Sequence, residues 1–216
     1  DGPGILQAVC RRMTETNVQK PREPFFNAPP VTTWLVFAVI VLHIFRIIKP
    51  FAVERLLAYQ FAFVPVDFWN APLPNMYRTV TYAFVHANIM HLMINATGLL
   101  AFASGIERTL GRLWLLVILF AGTVCGVLGH LILFHDSDVP LVGISAGVSA
   151  LFGALMLVMN GRRGALTTGL VFVATNAAIG LIGMPNEPGL AIAWQAHIFG
   201  FFTGMILGAI ATRERA

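Results

Sequence analysis

The chain has little charge and almost no cysteine. Asp, Glu, Lys and Arg make up 11% of its 216 residues, against 57% hydrophobic residues. A water-soluble domain carries about 25% charged residues, so this chain cannot cover a globular surface with solvated side chains. Its mean hydropathy of +0.76 agrees. The two cysteines, Cys10 in the N-terminal tail and Cys125 in an apolar run, form neither a disulfide framework nor a metal-binding pair. The first thirty residues lack an apolar core and hold Arg11, Arg12, Lys20 and Arg22, so no cleavable signal peptide is expected there. Residues 1–12 precede Met13 and fit an expression remnant. These absences leave an all-α polytopic membrane protein.

Six segments are long and apolar enough to cross a hydrocarbon core of about 30 Å as helices of roughly 20 residues. They cover 31–48, 86–105, 113–134, 142–160, 165–184 and 190–211. This divides the chain into a tail (1–30), a six-helix membrane domain (31–211) and a short C-terminal tail (212–216). Basic residues set the orientation, because cytoplasmic loops are enriched in Lys and Arg. Arg11, Arg12, Lys20, Arg22, Arg108, Arg112, Arg162, Arg163, Arg213 and Arg215 all fall on one side of this arrangement, which puts both termini in the cytoplasm. The net charge of +4 therefore reflects topology. A clustered basic face, which nucleic-acid binding needs, is missing. The connection from Phe51 to Val85 is rich in aromatics and proline, and is expected to be an irregular, partly helical loop at the outer interface.

No Asp or Glu lies within any of the six segments, so the other polar groups at membrane depth stand out. His43 and His130 are lone histidines near helix ends, read as interfacial or satisfied by a neighbouring helix. In the second segment, "FVHANIMHLMIN", His91 and Asn95 share one face at i,i+4, with His86 five residues before His91. An i,i+4 histidine pair and an intramembrane carboxylate are both lacking, so no metal is expected, and no cofactor either. The fourth segment opens with Gly143-Ile144-Ser145-Ala146-Gly147. The sixth carries His197 on the same face as Gly200, Gly204 and Gly208, a small-residue stripe that admits a close helix neighbour.

Ser145, His197, His91 and Asn95 all fall within roughly 5–15 Å of one membrane face at 1.5 Å per helical residue. A serine hydroxyl becomes a nucleophile when a base accepts its proton, and neutral His197 suits that role. Asn95, His91 and backbone N–H groups about Gly143 and Ser145 could donate to an oxyanion. Without an intramembrane carboxylate, a Ser-His dyad is the economical arrangement. A soluble α/β-hydrolase is excluded, because its GxSxG elbow needs a strand–turn–helix.

The set "HANIMHLMIN", "GISAGVSALFG" and "AHIFGFFTG", in that order, resembles the rhomboid family of intramembrane serine proteases; "YRTVTYAFVH" and "GIERTLG" strengthen the likeness. The resemblance implies a rhomboid-like fold, Ser145 as nucleophile and His197 as general base and acid. It puts His91, Asn95 and Gly143 on the oxyanion side. It further implies single-span membrane proteins as substrates, cut near the outer face, with the fifth segment as a lateral gate. A bacterial inner membrane is the expected setting, with membrane lipid as surroundings. The chain departs from the family pattern at Ala146 and Tyr77. It also departs at Ser149, where an aromatic often stacks on the histidine. Two other readings compete. One is a non-catalytic rhomboid-like protein that binds membrane helices, although such relatives typically lack the Ser or the His. The other is a transporter, which predicts intramembrane acids or broken helices.

Overall fold

The computed structural model describes residues 27–182 and 193–214. Most of the N-terminal tail, the connection holding Glu187 and the last two residues lie outside the described residues. Helix α1 (Pro30–Ile47) begins with proline at its first turn and has no side-chain cap of its own. Its free N–H groups are taken by a distant carboxylate. Glu107 accepts from the Thr32 N–H at 2.8 Å, the Thr32 hydroxyl at 2.9 Å and the Val31 N–H at 3.2 Å. A buried negative charge at a helix N-terminus satisfies orphan donors and complements the dipole.

The aromatic connection folds into short helices: α2 (Phe51–Phe61), α3 (Pro65–Asn70), α4 (Pro72–Asn75) and α5 (Arg78–Thr81), closed by a 3₁₀ turn over Tyr82–Phe84. Prolines at the first turns of α3 and α4 explain why the connection breaks where it does. Asp67 ties it together, with Arg78 at 3.0 Å and the Tyr59 hydroxyl donating at 2.7 Å. That hydrogen bond holds the Tyr59 phenol above its ordinary pKa. Phe63 and Leu141 form the one antiparallel bridge among the described residues, with N–H···O distances of 3.1 and 2.7 Å. It anchors the connection to the segment entering the next long helix pair.

Helix α6 (Ile89–Thr109) contains a π turn over Leu99–Ala103. It starts three residues later than the expected 86–105 segment, leaving His86 in the approach. It also runs further, which brings Glu107 inside it, so a carboxylate does lie within this helix. The α1 capping contacts above are the physical reason that it is tolerated. Helix α7 (Arg112–Leu133) follows. Helix α8 (Ser145–Ile182) is broken at Gly161, whose φ of 63° and ψ of −176° lie outside helical space in a region open to glycine. Phe152 and Phe172, on opposite limbs, have ring centroids 5.7 Å apart. Twenty residues of straight helix would separate them by about 30 Å, so the limbs fold back as a hairpin. Helix α9 (Trp194–Arg213) completes the described chain.

Four of these helices, α1, α6, α7 and α9, are long and apolar enough to cross a membrane. Large apolar side chains face outward on the bundle: Trp34 of α1, Leu113 and Ile132 of α7, and Leu170 of the second α8 limb are each more than two-thirds exposed. The interior is sealed by small residues. Along α9, Gly200, Gly204 and Gly208 lie against Ala146, Ala150 and Ala154 of the first α8 limb. A Cβ on Gly204 would stand 1.8 Å from the Ala150 carbonyl oxygen, and one on Gly208 would stand 3.1 Å from the Ala154 Cα. On the other side of the limb, a Cβ on Gly122 or Gly126 of α7 would meet Ala150 or Ala146. Without a hydrophobic drive between helices in lipid, such close van der Waals contact is what associates them.

The contact distances predict a ranking. Gly204→Ala should lower stability by about 1–3 kcal/mol, the usual cost of overpacking, and Gly208→Ala by clearly less. Unfolding in mixed micelles of rising dodecyl sulfate content measures both. Equal stabilities would show that the seam relaxes freely.

Candidate active site

Ser145 is the first residue of α8, so its hydroxyl stands at a helix N-terminus and not three residues inside a span. The chain leaves the Phe63–Leu141 bridge through a bend at Gly143 and a turn at Ile144, and Gly143 adopts φ +103°, a conformation unfavourable for L side chains. Its N–H donates to the Tyr82 carbonyl at 2.9 Å, and the Tyr82 hydroxyl donates to the Thr123 carbonyl at 2.8 Å. The 3₁₀ turn and α7 thus set the path of the chain into Ser145. Three N–H groups of the first α8 turn have no acceptor inside the helix and add a positive end to the site.

His197 lies one turn into α9. Its Nε2 is 2.7 Å from the Ser145 hydroxyl oxygen, across 52 residues of chain. Both residues are half-buried. The contact follows from the small-residue seam: Ser145 adjoins Ala146, and His197 is one turn before Gly200, which packs on the Ala146 carbonyl.

His91 and Asn95 come from the first turns of α6. Asn88 caps this helix, its side chain accepting from the His91 N–H at 2.8 Å. Asn95 is buried and donates to the His91 carbonyl at 2.9 Å. A Cβ on Gly143 would lie 2.7 Å from His91 Nε2 and 3.7 Å from Asn95 Nδ2. Both side chains therefore face the backbone two residues ahead of Ser145. All five residues singled out in the sequence meet at one place.

His86 packs between His91 and His43, with ring centroids at 5.3 and 6.3 Å. The Arg46 guanidinium, paired with Glu54, also holds the His86 carbonyl. His43 and His130 are buried inside the bundle, His43 beside the His86 ring and His130 against the Phe134 ring and the Gln195 side chain of α9. Among the described residues, no group of three or more His, Cys, Asp or Glu could hold a metal ion.

Two details could not be read from motifs. The Ser149 hydroxyl donates to the Ser145 carbonyl at 2.8 Å and so serves its own helix. Asn176, on the second limb of α8, accepts at His197 Nδ1 over 2.8 Å. Its one sequence signal was an amide at membrane depth in "ATNAAIG".

Residues 74–214 match the model of the Rhomboid domain family. Among similar proteins, Rhomboid protease GlpG of Klebsiella pneumoniae is 29% identical over 223 residues, covering 94% of this chain and 74% of that protein. YdcA of Bacillus subtilis is 23% identical over 200 residues, covering 89% of this chain and 94% of that protein. Human Rhomboid-related protein 3 is 30% identical over 158 residues; the matched region is 64% of this chain and only 37% of that longer protein.

Gly143→Ala combines an unfavourable φ with a Cβ 2.6 Å from the His91 ring. It should cost about 1–3 kcal/mol, the range for strained backbone, and shift the His91 ring resonances. Micellar unfolding and histidine-selective NMR measure the two effects. An unchanged His91 signal would mean that the glycine does not set the ring's position.

Proposed function

The chain belongs to the rhomboid family, and from that premise we propose that it is an intramembrane serine endopeptidase working through Ser145 and His197. The observation that carries this reading is the 2.7 Å contact between His197 Nε2 and the Ser145 hydroxyl. The protein is an integral membrane protein, with four apolar helices of spanning length. The two limbs of α8 supply the fourth and fifth of six spans, and both termini face the cytoplasm of a bacterial plasma membrane. The short helices after α1 lie at the outer interface, on the side where the site opens. Substrates are single-span membrane proteins whose helix unwinds near that face.

In the reaction, His197 Nε2 takes the hydroxyl proton as Ser145 Oγ bonds to the scissile carbonyl carbon. The carbonyl oxygen becomes an oxyanion, met by donors from the His91 and Asn95 side chains and the free N–H groups that open α8 at Ser145; the Gly143 N–H, engaged with the Tyr82 carbonyl, shapes the chain there and does not donate. His197 then gives its proton to the leaving nitrogen as the C–N bond breaks, leaving an acyl-serine. Water, deprotonated by the same imidazole, attacks this ester and restores the hydroxyl. The buried amide of Asn95 and the dipole end of α8 support the charged stage, where electrostatic stabilisation contributes most.

Cleavage of a transmembrane substrate in proteoliposomes tests the reading. Ser145→Ala and His197→Ala should abolish turnover, and His197→Ala should also abolish fluorophosphonate labelling of Ser145. Asn95→Ala and His91→Ala should each lower kcat by about a hundredfold, as for loss of one oxyanion donor, while EDTA leaves the rate unchanged. Full activity in Ser145→Ala would overturn the dyad, and a fully folded wild type without turnover would favour a helix-binding role.

A further inference from the structure

A catalytic histidine works only in one tautomer and one ring orientation, so something must hold the nitrogen that does not face the serine. Here the family's usual aromatic position is Ser149, whose hydroxyl is bound to its own helix. The other ring nitrogen of His197 instead meets Asn176 Oδ1 at 2.8 Å. Which end of that amide faces the ring follows from a second contact: Asn176 Nδ2 donates to the Phe172 carbonyl one turn earlier, at 2.9 Å. With the amide NH₂ engaged there, the oxygen points to His197, and an oxygen can only accept. The proton of neutral His197 must then sit on Nδ1, which leaves the Nε2 lone pair facing the Ser145 hydroxyl.

Packing holds this amide in register. One turn before it, the Phe172 ring stacks on Phe201 of α9, with centroids 4.7 Å apart and planes at 19°. One turn after it, Gly180 lies against the Trp194 ring, where an added Cβ would stand 2.0 Å from Cδ1. Three successive turns of the second α8 limb therefore face three turns of α9 in antiparallel register, with Asn176 opposite His197 in the middle.

We infer that Asn176 is the positioning residue of this site, completing a Ser145–His197–Asn176 relay in which the amide fixes the tautomer and ring orientation of His197. The inference rests on the serine-protease reading above. A neutral amide orients the imidazolium formed during reaction without adding a compensating charge, unlike the carboxylate of a Ser-His-Asp triad. Asn176 also stands on a different helix from both Ser145's limb and His197, so the base is in its working geometry only while the second limb is packed on α9.

Three variants in proteoliposomes and one spectrum test it. Asn176→Leu and Asn176→Ala should lower kcat about ten- to a hundredfold, within the range a mispositioned general base commands, with KM within about twofold of wild type. Asn176→Asp keeps the acceptor and adds charge beside the ring. It should recover most of kcat and move the acid limb of the kcat/KM profile to higher pH, because a carboxylate favours the imidazolium. In wild type, ¹⁵N-histidine NMR at neutral pH should show the His197 proton on Nδ1, the signal being assigned by its absence in His197→Ala. Wild-type kcat in Asn176→Leu, an unmoved acid limb in Asn176→Asp, or a proton on Nε2 would each overturn the relay. If the leucine and alanine variants do not fold, the wild-type spectrum and the aspartate profile still decide. Failure of the protease reading is separately visible, since Ser145→Ala would then retain turnover.

Discussion

α9 lies against the first limb of α8 at backbone distance, and the rest of the site depends on that approach. A Cβ at Gly200 or Gly204 would fall within 2.2 Å or 1.8 Å of a carbonyl oxygen on the facing helix, which leaves room for hydrogen and nothing larger. The match repeats every four residues on both helices, Gly200, Gly204 and Gly208 against Ala146, Ala150 and Ala154. Ser145 and His197 stand at the same end of this seam, each within a turn of its first contact. Their side chains can therefore touch without a flexible reach, and the 2.7 Å contact needs no loop to hold it. The glycines that might have been taken for mere packing and the serine that might have been taken for chemistry are parts of one arrangement.

The second organising feature is what gathers at that end. α6 begins at Ile89, α8 at Ser145 and α9 at Trp194, and the contacts of His91 with Gly143 and of His197 with Ser145 bring these three beginnings together. Each helix start carries N–H groups without intrahelical acceptors and a positive dipole end. In a low-dielectric setting such an assembly favours negative charge that appears between them. The opposite end of the bundle solves the same problem differently. There, α1 begins at a carboxylate, and Glu107 satisfies its orphan donors. The two ends thus differ in kind: one is closed by the carboxylate of Glu107, and the other gathers three helix N-termini around Ser145.

Most of this was legible from residue types and spacing. Ser145, His197, His91, Asn95 and Gly143 could be gathered because helices of known rise put them at one depth, and hydropathy counts residues along a helix well. The family's motifs pointed to the same five. Spacing alone cannot place helix ends. Ser145 opens its helix because Gly143 takes a positive φ, which hydropathy does not see. Glu107 lies within α6 because a partner 75 residues away in sequence needs its charge, so the apparent absence of intramembrane acids was a matter of where one helix stopped. Which neighbours bury His43 and His130 follows only from the packing, since depth along a helix says nothing about which face meets protein. Asn176 escaped for a related reason. It forms no motif, and its partner is found only once the register between the second α8 limb and α9 is known.

That register gives the second limb a role beyond filling the bundle. Gly161 breaks α8 so that two halves of nearly continuous helix lie side by side, one carrying Ser145 and the other carrying Asn176. The first limb is bound to its neighbours through backbone-level contacts on two sides, with α7 and with α9. The second limb is bound chiefly through side chains, the Phe172 stack on Phe201 and the Trp194 ring over Gly180. Side-chain contacts can be lost and remade at smaller cost than a glycine–alanine seam, whose atoms have no rotamers to change. Ser145 therefore rides on the more tightly seamed half of the hairpin, while Asn176, which meets His197, rides on the half held by side chains.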